Sequence, residues 1–133
     1  MSVEISPKTT PEIGHRMPDG TVYAGVSPDM GKAMYTTPAD APQTHTFNQA
    51  RVIAKNLDTH GHKDWRVPTK GELNVLFQNR DAIGGFNETG PYLAHWYWSS
   101  SQRIILIAWA QRFSDGFQLY HGKYIDSSLR CVR

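Results

Sequence analysis

The sequence predicts one α+β domain in which two helices pack on a small, mainly antiparallel sheet joined by long loops. Three observations carry this: an early pair of β-forming runs around a turn, two helix starts marked by capping residues, and a C-terminal half in strand and turn composition. At 133 residues the chain is long enough to bury one real core and short for two.

Taken in order, residues 1–20 carry Pro7, Pro11, Pro18 and a closing Asp19-Gly20 turn with no period. They are expected to form an irregular arm, poorly ordered or draped on a neighbour, ahead of a domain over residues 21–133. From Thr21 to Val26 and from Lys32 to Thr37, β-formers flank Ser27-Pro28-Asp29-Met30-Gly31, which is turn chemistry, so a hairpin is expected. Thr46 starts a helix, because its hydroxyl can cap the backbone while Gln49 reaches back to complete a capping box. Ala50, Ile53, Ala54 and Leu57 then give one apolar face before Gly61 ends the element. Thr69 repeats the signal with Glu72 three residues on, and Leu73, Leu76 and Phe77 form the inner face of the second helix. After Gly84-Gly85, strands are expected over Tyr97 to Ser100, Ile107 to Phe113, Phe117 to Tyr120 and Leu129 to Val132.

Composition narrows the function classes. The formal charge of +2, from 14 basic and 12 acidic residues, is scattered and offers no block that could follow a phosphate backbone, so nucleic acid is not an expected partner. No apolar run reaches membrane-spanning length, and membrane insertion is not expected. Met1-Ser2-Val3-Glu4-Ile5 is not a basic head before an apolar stretch, so an export signal is not expected within this chain. Loss of such a signal, export as cargo and assembly into a particle all stay open.

Catalytic and metal chemistry find little support. Cys131 is the single cysteine and, between Leu129 and Val132, reads as a small buried apolar residue. His60-Gly61-His62 could pinch a metal, but nothing at ligand spacing completes a four-ligand site, and a solvated loop is the plainer reading. Asp115-Gly116 reads as a tight turn. No nucleophile elbow, phosphate loop or paired-carboxylate motif occurs, so neither catalysis nor a cofactor or metal is expected.

Trp65-Arg66-Val67-Pro68-Thr69 with Glu72-Leu73, then Trp96-Tyr97-Trp98-Ser99-Ser100-Ser101, then Arg130-Cys131-Val132-Arg133 together resemble the Lcl C-terminal domain family of bacteria. The resemblance spans roughly Asp19 to Arg133 and implies a C-type-lectin-like fold related to the formylglycine-generating-enzyme type. Read physically, Trp65 and Trp98 are core fillers, Pro68 and Thr69 fix the helix start, and Arg66 is suited to bond strand carbonyls or Glu72. The related enzymes use cysteine chemistry, which a buried Cys131 does not offer.

Two stretches break the pattern of elements. Arg103-Ile104-Ile105-Leu106-Ile107 is a dense apolar run after polar Ser99 to Gln102, where a lectin-like fold would turn through a loop. Phe117, Leu119-Tyr120-His121-Gly122 and Tyr124-Ile125-Asp126 mix apolar, aromatic and charged residues without period. With Ala108 to Gly116 between them, the order resembles variable proteins of diversity-generating retroelements, in which adenines, commonly of AAC codons, are randomised. Such codons cannot yield Lys, Glu, Gln, Met or Trp. Every residue of the two stretches obeys that exclusion, whereas Gln102, Trp109, Gln111, Gln118 and Lys123 between them do not.

The resemblance implies a diversified ligand-binding domain, displayed on a bacterial surface or phage particle, that meets a protein partner through these stretches. Ile104, Ile105, Leu106, Phe117, Tyr120 and Tyr124 would form an exposed patch of the kind that marks partner sites. Arg103, His121 and Asp126 would supply rim polarity. The irregular arm and such a patch would also suit a homo-oligomer. Against this stands a plain alternative, that Ile104 to Ala110 is a buried strand. A further alternative is a carbohydrate-binding lectin or adhesin stacking sugar on Tyr92, Trp96 and Trp98.

Overall fold

The computed structural model describes residues 10–133. The expected early hairpin is present as β1 (Val22–Val26) and β2 (Ala33–Thr36), antiparallel, with an irregularity between Tyr23 and Gly25. The described residues just ahead of it are tied to it: Gly14 N–H donates to Tyr23 O, and Tyr23 N–H to His15 O, so the described end of the arm pairs along β1. Residues 1–9 of the expected arm lie outside the described residues.

Both capped helices form where the capping residues place them. α1 runs Phe47–Asn56 and α2 runs Lys70–Gln78, and each starts with a complete capping box, Thr46 with Gln49 and Thr69 with Glu72. A short third helix, α3 (Arg80–Ile83), follows α2; Asn79 at its start makes no side-chain cap, and Gly84, with φ of 80°, ends it.

The C-terminal half holds an antiparallel sheet of order β3-β4-β5, with β3 at Trp96–Ile104, β4 at Ile107–Arg112 and β5 at Gln118–Gly122. β3 is longer than the expected Tyr97 to Ser100, because it carries on through the polar segment to Ile104. The expected last strand, Leu129 to Val132, does not form a ladder. Val132 makes only single bridges, to Thr36 and Arg66, and the segment threads between the two sheets as buried extended chain. Its apolar side chains meet the core on both sides, and that burial rather than strand pairing explains its composition.

Two apolar clusters divide the interior. In one, Phe47, Ala50 and Ala54 of α1 pack with Trp65, Trp96, Trp98, Ala108, Ala110 and Leu129. In the other, β1 and α2 pack with Tyr97 and Phe113. Successive strand residues point to opposite faces, so Trp96 and Trp98 serve the first cluster while Tyr97 between them serves the second. The result is an α+β, C-type-lectin-like fold with the three-stranded sheet at its centre.

The buried charged groups Glu72 and Arg130 are paired. Glu72, fully buried, accepts from Arg66 at 2.5 and 2.8 Å, from Ser27 at 2.6 Å and from Thr69 N–H at 2.9 Å. These donors outweigh the cost of burial and hold its carboxyl down at about 2. Arg130, equally buried, donates to Asp40 at 2.9 Å and to the carbonyls of Thr37 and Gly84, with Phe86 beneath its guanidinium. Asp40 also accepts the hydroxyl of Tyr97. Asp115 and Gly116 form the expected turn: Asp115 accepts from Phe117 N–H at 3.0 Å. Gly116 has φ of 87°, and a Cβ there would lie 2.4 Å from the Phe77 ring.

Candidate functional site

β3 and β4 are joined by a two-residue turn at Ile105 and Leu106, with Ile104 opposite Ile107. Hairpins this tight ordinarily use positive-φ residues such as Asn-Gly. Here neither turn residue has a positive φ. Register shifts around Gln102 absorb the mismatch in twist. The turn is also held from outside, since Lys123 donates its backbone N–H to Leu106 O at 2.9 Å and its ammonium to Ile105 O at 2.7 Å and to Gln102 at 2.5 Å.

The apolar run therefore sits at the tip of a hairpin and not inside the sheet. Ile104, Ile105 and Leu106 are 56%, 81% and 70% exposed, while Ala108 and Ala110 on the same strand pair are buried. The buried-strand alternative holds only from Ala108 on. At the tip, β5 ends with Gly122 opposite Ile107 and the chain after it brings up exposed Tyr124 and Asp126, with Ile107, Gly122 and Ile125 half-buried. Leu119 and Tyr120 are exposed farther along β5 on opposite faces, and exposed Phe117 precedes β5 at its far end, 6.4 Å from the Trp96 ring. The ring of Tyr124 lies across Gly122, where a Cβ would come within 2.5 Å of it. Arg103 lies over the Tyr120 ring at 4.1 Å, Tyr120 meets Trp109 edge-on at 5.4 Å, and Lys70 sits 3.7 Å above Trp109. A continuous stack thus runs from the outer surface into the scaffold.

His121 departs from expectation. Read as rim polarity, it is buried, because it alternates with Tyr120 on β5 and its ring is turned inward, 4.4 Å from Trp96 and 6.1 Å from Trp98. Its Nδ1 has no hydrogen-bond partner, and burial pushes the imidazole below its ordinary pKa, so the ring is neutral at pH 7. The aromatic platform expected for sugar also fails: Trp96 and Trp98 are core residues, and Trp98 donates its indole N–H to His45 O at 2.7 Å, leaving Tyr92 exposed alone.

The residues between the two stretches face the scaffold. Gln111 donates to Asn74 at 2.9 Å and to Gly116 O at 3.0 Å, Gln118 reaches Lys70 O at 3.4 Å, and Gln102 and Lys123 are bonded to each other beneath the tip. Trp109 is clamped between Tyr120 and Lys70. Sequence composition could separate the two sets; it could not show that one holds up the other.

The remaining candidate chemistry resolves into structure. Cys131 is buried and desolvation pushes its thiol up to about 12. His62 binds Asp19 at 2.7 Å and His60 lies 3.1 Å from Asp19 O, so the His-Gly-His turn fastens the chain ahead of β1. Arg66 takes the expected carboxylate, Glu72.

A family model for the Lcl C-terminal domain matches residues 26–133, which include the Trp-Arg-Val-Pro-Thr, Trp-Tyr-Trp-Ser and Arg-Cys-Val-Arg segments. The chain belongs to the Lcl C-terminal domain family. The match begins at Val26, later than the Asp19 at which the resemblance was drawn, and takes in every residue of the exposed tip and its neighbours. As an Lcl C-terminal domain it is a ligand-recognition domain. No curated protein sequence matches the chain.

Proposed function

We propose that this Lcl C-terminal domain recognises a protein partner through the hairpin tip, the outer side of β5 and the Tyr124 to Asp126 loop, and that these positions are diversified by a retroelement. One observation carries the reading. Most positions compatible with randomised AAC codons are exposed, at the hairpin tip, along β5 and in the Tyr124 to Asp126 loop, whereas the intervening Trp109, Gln111, Gln118 and Lys123 are partly or fully buried and, with Gln102, engage the scaffold or each other. Codon exclusion is a property of the gene and exposure is a property of the fold. Their agreement, broken by buried His121 and by half-buried Ile107, Gly122 and Ile125, supports a surface free to change on a scaffold that is not.

Recognition needs no chemistry on this reading. Ile104, Ile105, Leu106 and Tyr124 supply desolvated area, Tyr120 is held rigid between Arg103 and Trp109, and Arg103 and Asp126 give the rim its charge. With the single thiol buried and protonated at neutral pH, we read the domain as a binder and not as an enzyme of the formylglycine-generating type. Display on a bacterial surface or phage particle accords with such a role.

Sequencing the coding region and its flanks tests the reading. A nearby imperfect repeat that differs from the segment encoding Arg103 to Asp126 only at adenines, beside a reverse transcriptase gene, is the expected result. A gene with no such repeat in its genome overturns diversification and leaves a plain adhesin-like domain.

A further inference from the structure

A second surface lies apart from the hairpin tip. Between α1 and the Lys63 to Thr69 segment runs an open groove of about 730 Å³, within the roughly 300–1,000 Å³ of ordinary ligand sites. Its apolar lining is mainly Val52 and Met30, both more than half exposed, above the edges of Trp65, Val67 and Ala54, which show 5% or less; Arg66 Nη2 lies 3.3 Å from the Met30 sulfur. One wall is a stripe of α1 at helical spacing, Asn48, Arg51, Val52 and Lys55, lying beside the face that packs inward.

Charge along this groove is unbalanced. Arg51 and Lys55 have no carboxylate partner among the described residues, and Lys63 on the opposite wall has only Asp58 at 3.9 Å, with both side chains largely in solvent. The acidic residue of the lining, Asp64, is already held by Arg133 at 2.7 and 3.1 Å, and Arg66 is held by Glu72. Three cations therefore flank an apolar lining in a chain whose formal charge is only +2. Val52, 56% exposed on the helix wall, adds apolar surface that no described residue covers.

We propose that this groove is a docking site for an acidic protein segment, bound extended along α1 with carboxylates on Arg51, Lys55 and Lys63 and apolar side chains on Val52 and Met30. A purely anionic ligand would use the rims and leave the apolar lining wet. An apolar one would leave the cations without counter-charge as they lose water. An acidic segment with interspersed apolar residues satisfies both. The site shares no residue with the hairpin patch, so it stands or falls independently of diversification.

The test is fluorescence anisotropy with a labelled peptide of about twelve residues alternating glutamate and leucine, measured against the whole chain. Saturable binding that weakens with added salt is expected, and an R51E/K55E double variant should raise Kd by about tenfold or more with its unfolding midpoint unchanged. A Val52→Ser variant should weaken the alternating peptide and leave binding of an all-glutamate peptide as it was. No saturation up to about 1 mM, a Kd that ignores the double variant, or tighter binding of the all-glutamate peptide or a sulfated oligosaccharide than of the alternating peptide would overturn the proposal.

Discussion

The two ends of the β3–β4 hairpin are built from the same kinds of residue and behave as opposites. At its base, Trp96, Tyr97 and Trp98 are at most 3% exposed, and Gln111 and Ala110, across from Tyr97 and Trp98, are buried. At its tip, Ile104, Ile105 and Leu106 are more than half exposed and are held through their backbone, Ile104 by pairing with Ile107 and the two turn residues by carbonyls that Lys123 engages. Holding a turn by its carbonyls leaves its side chains without structural duty. The same strands can thus anchor a core at one end and present replaceable side chains at the other, which is what a recognition surface on a constant scaffold requires.

The largest effect belongs to the base. Trp98→Ala removes a fully buried indole that packs edge-on against Phe47 at 5.5 Å and bonds His45 O. It should cost about 3–5 kcal/mol by urea unfolding, close to the whole stability of a small domain. A loss no greater than that of a surface change would erase the contrast between the two ends.

Next comes the ionic brace behind the sheet. Glu72→Gln leaves Arg66 without its carboxylate and weakens the cap of α2, for a loss of about 1–3 kcal/mol. The same carboxyl gives a signed pH dependence. Its folded value, about 2, lies below the ordinary glutamate value of 4.5, so the stabilisation is complete above the latter and is lost as pH falls from 4.5 towards 2. Equilibrium unfolding of wild type and Glu72→Gln should converge over that window.

His121 sharpens the comparison, because it lies in the exposed stretch of sequence and the buried part of the structure. Its folded pKa is depressed, so the unfolded chain binds the proton more readily, and stability falls as pH drops below about 6.5. A His121→Phe variant should lose that slope below about pH 6.5 in chemical unfolding curves. A slope that persists in the variant would place the proton elsewhere.

The smallest effect belongs to the tip. Ile105→Ala with Tyr120→Ala should change stability by less than about 1 kcal/mol, since neither residue is in the core. Unfolding of that double variant would show the tip to be structural.

Much of this was legible in the sequence where local chemistry decides structure. Thr46 with Gln49 and Thr69 with Glu72 announced both helices, and Ser27 to Gly31 the first turn, because caps and turns satisfy their own backbone within a few residues. What escaped depends on distant partners. The tip has no turn residue of its own, and Lys123, far along the chain, stabilises it. Leu129 to Val132 reads as a strand and is buried extended chain between two sheets. The inward face of His121 follows from its register against Ala108, which no period in a mixed stretch reveals. The basic groove likewise needs α1 beside the Trp65 segment, and only the second of these drew notice as a motif.

The account is tested most directly by joint randomisation. Arg103 to Leu106, Phe117, Leu119, Tyr120 and Tyr124 to Asp126 would be varied together over the residues an AAC codon can reach, with His121 kept, and folded clones scored by protease resistance on a display platform. A matched library over Ala108 to Phe113 serves as the reference. The account predicts that most clones of the first library fold with the parent's stability and that few of the second do. Equal folded fractions in the two libraries would contradict it.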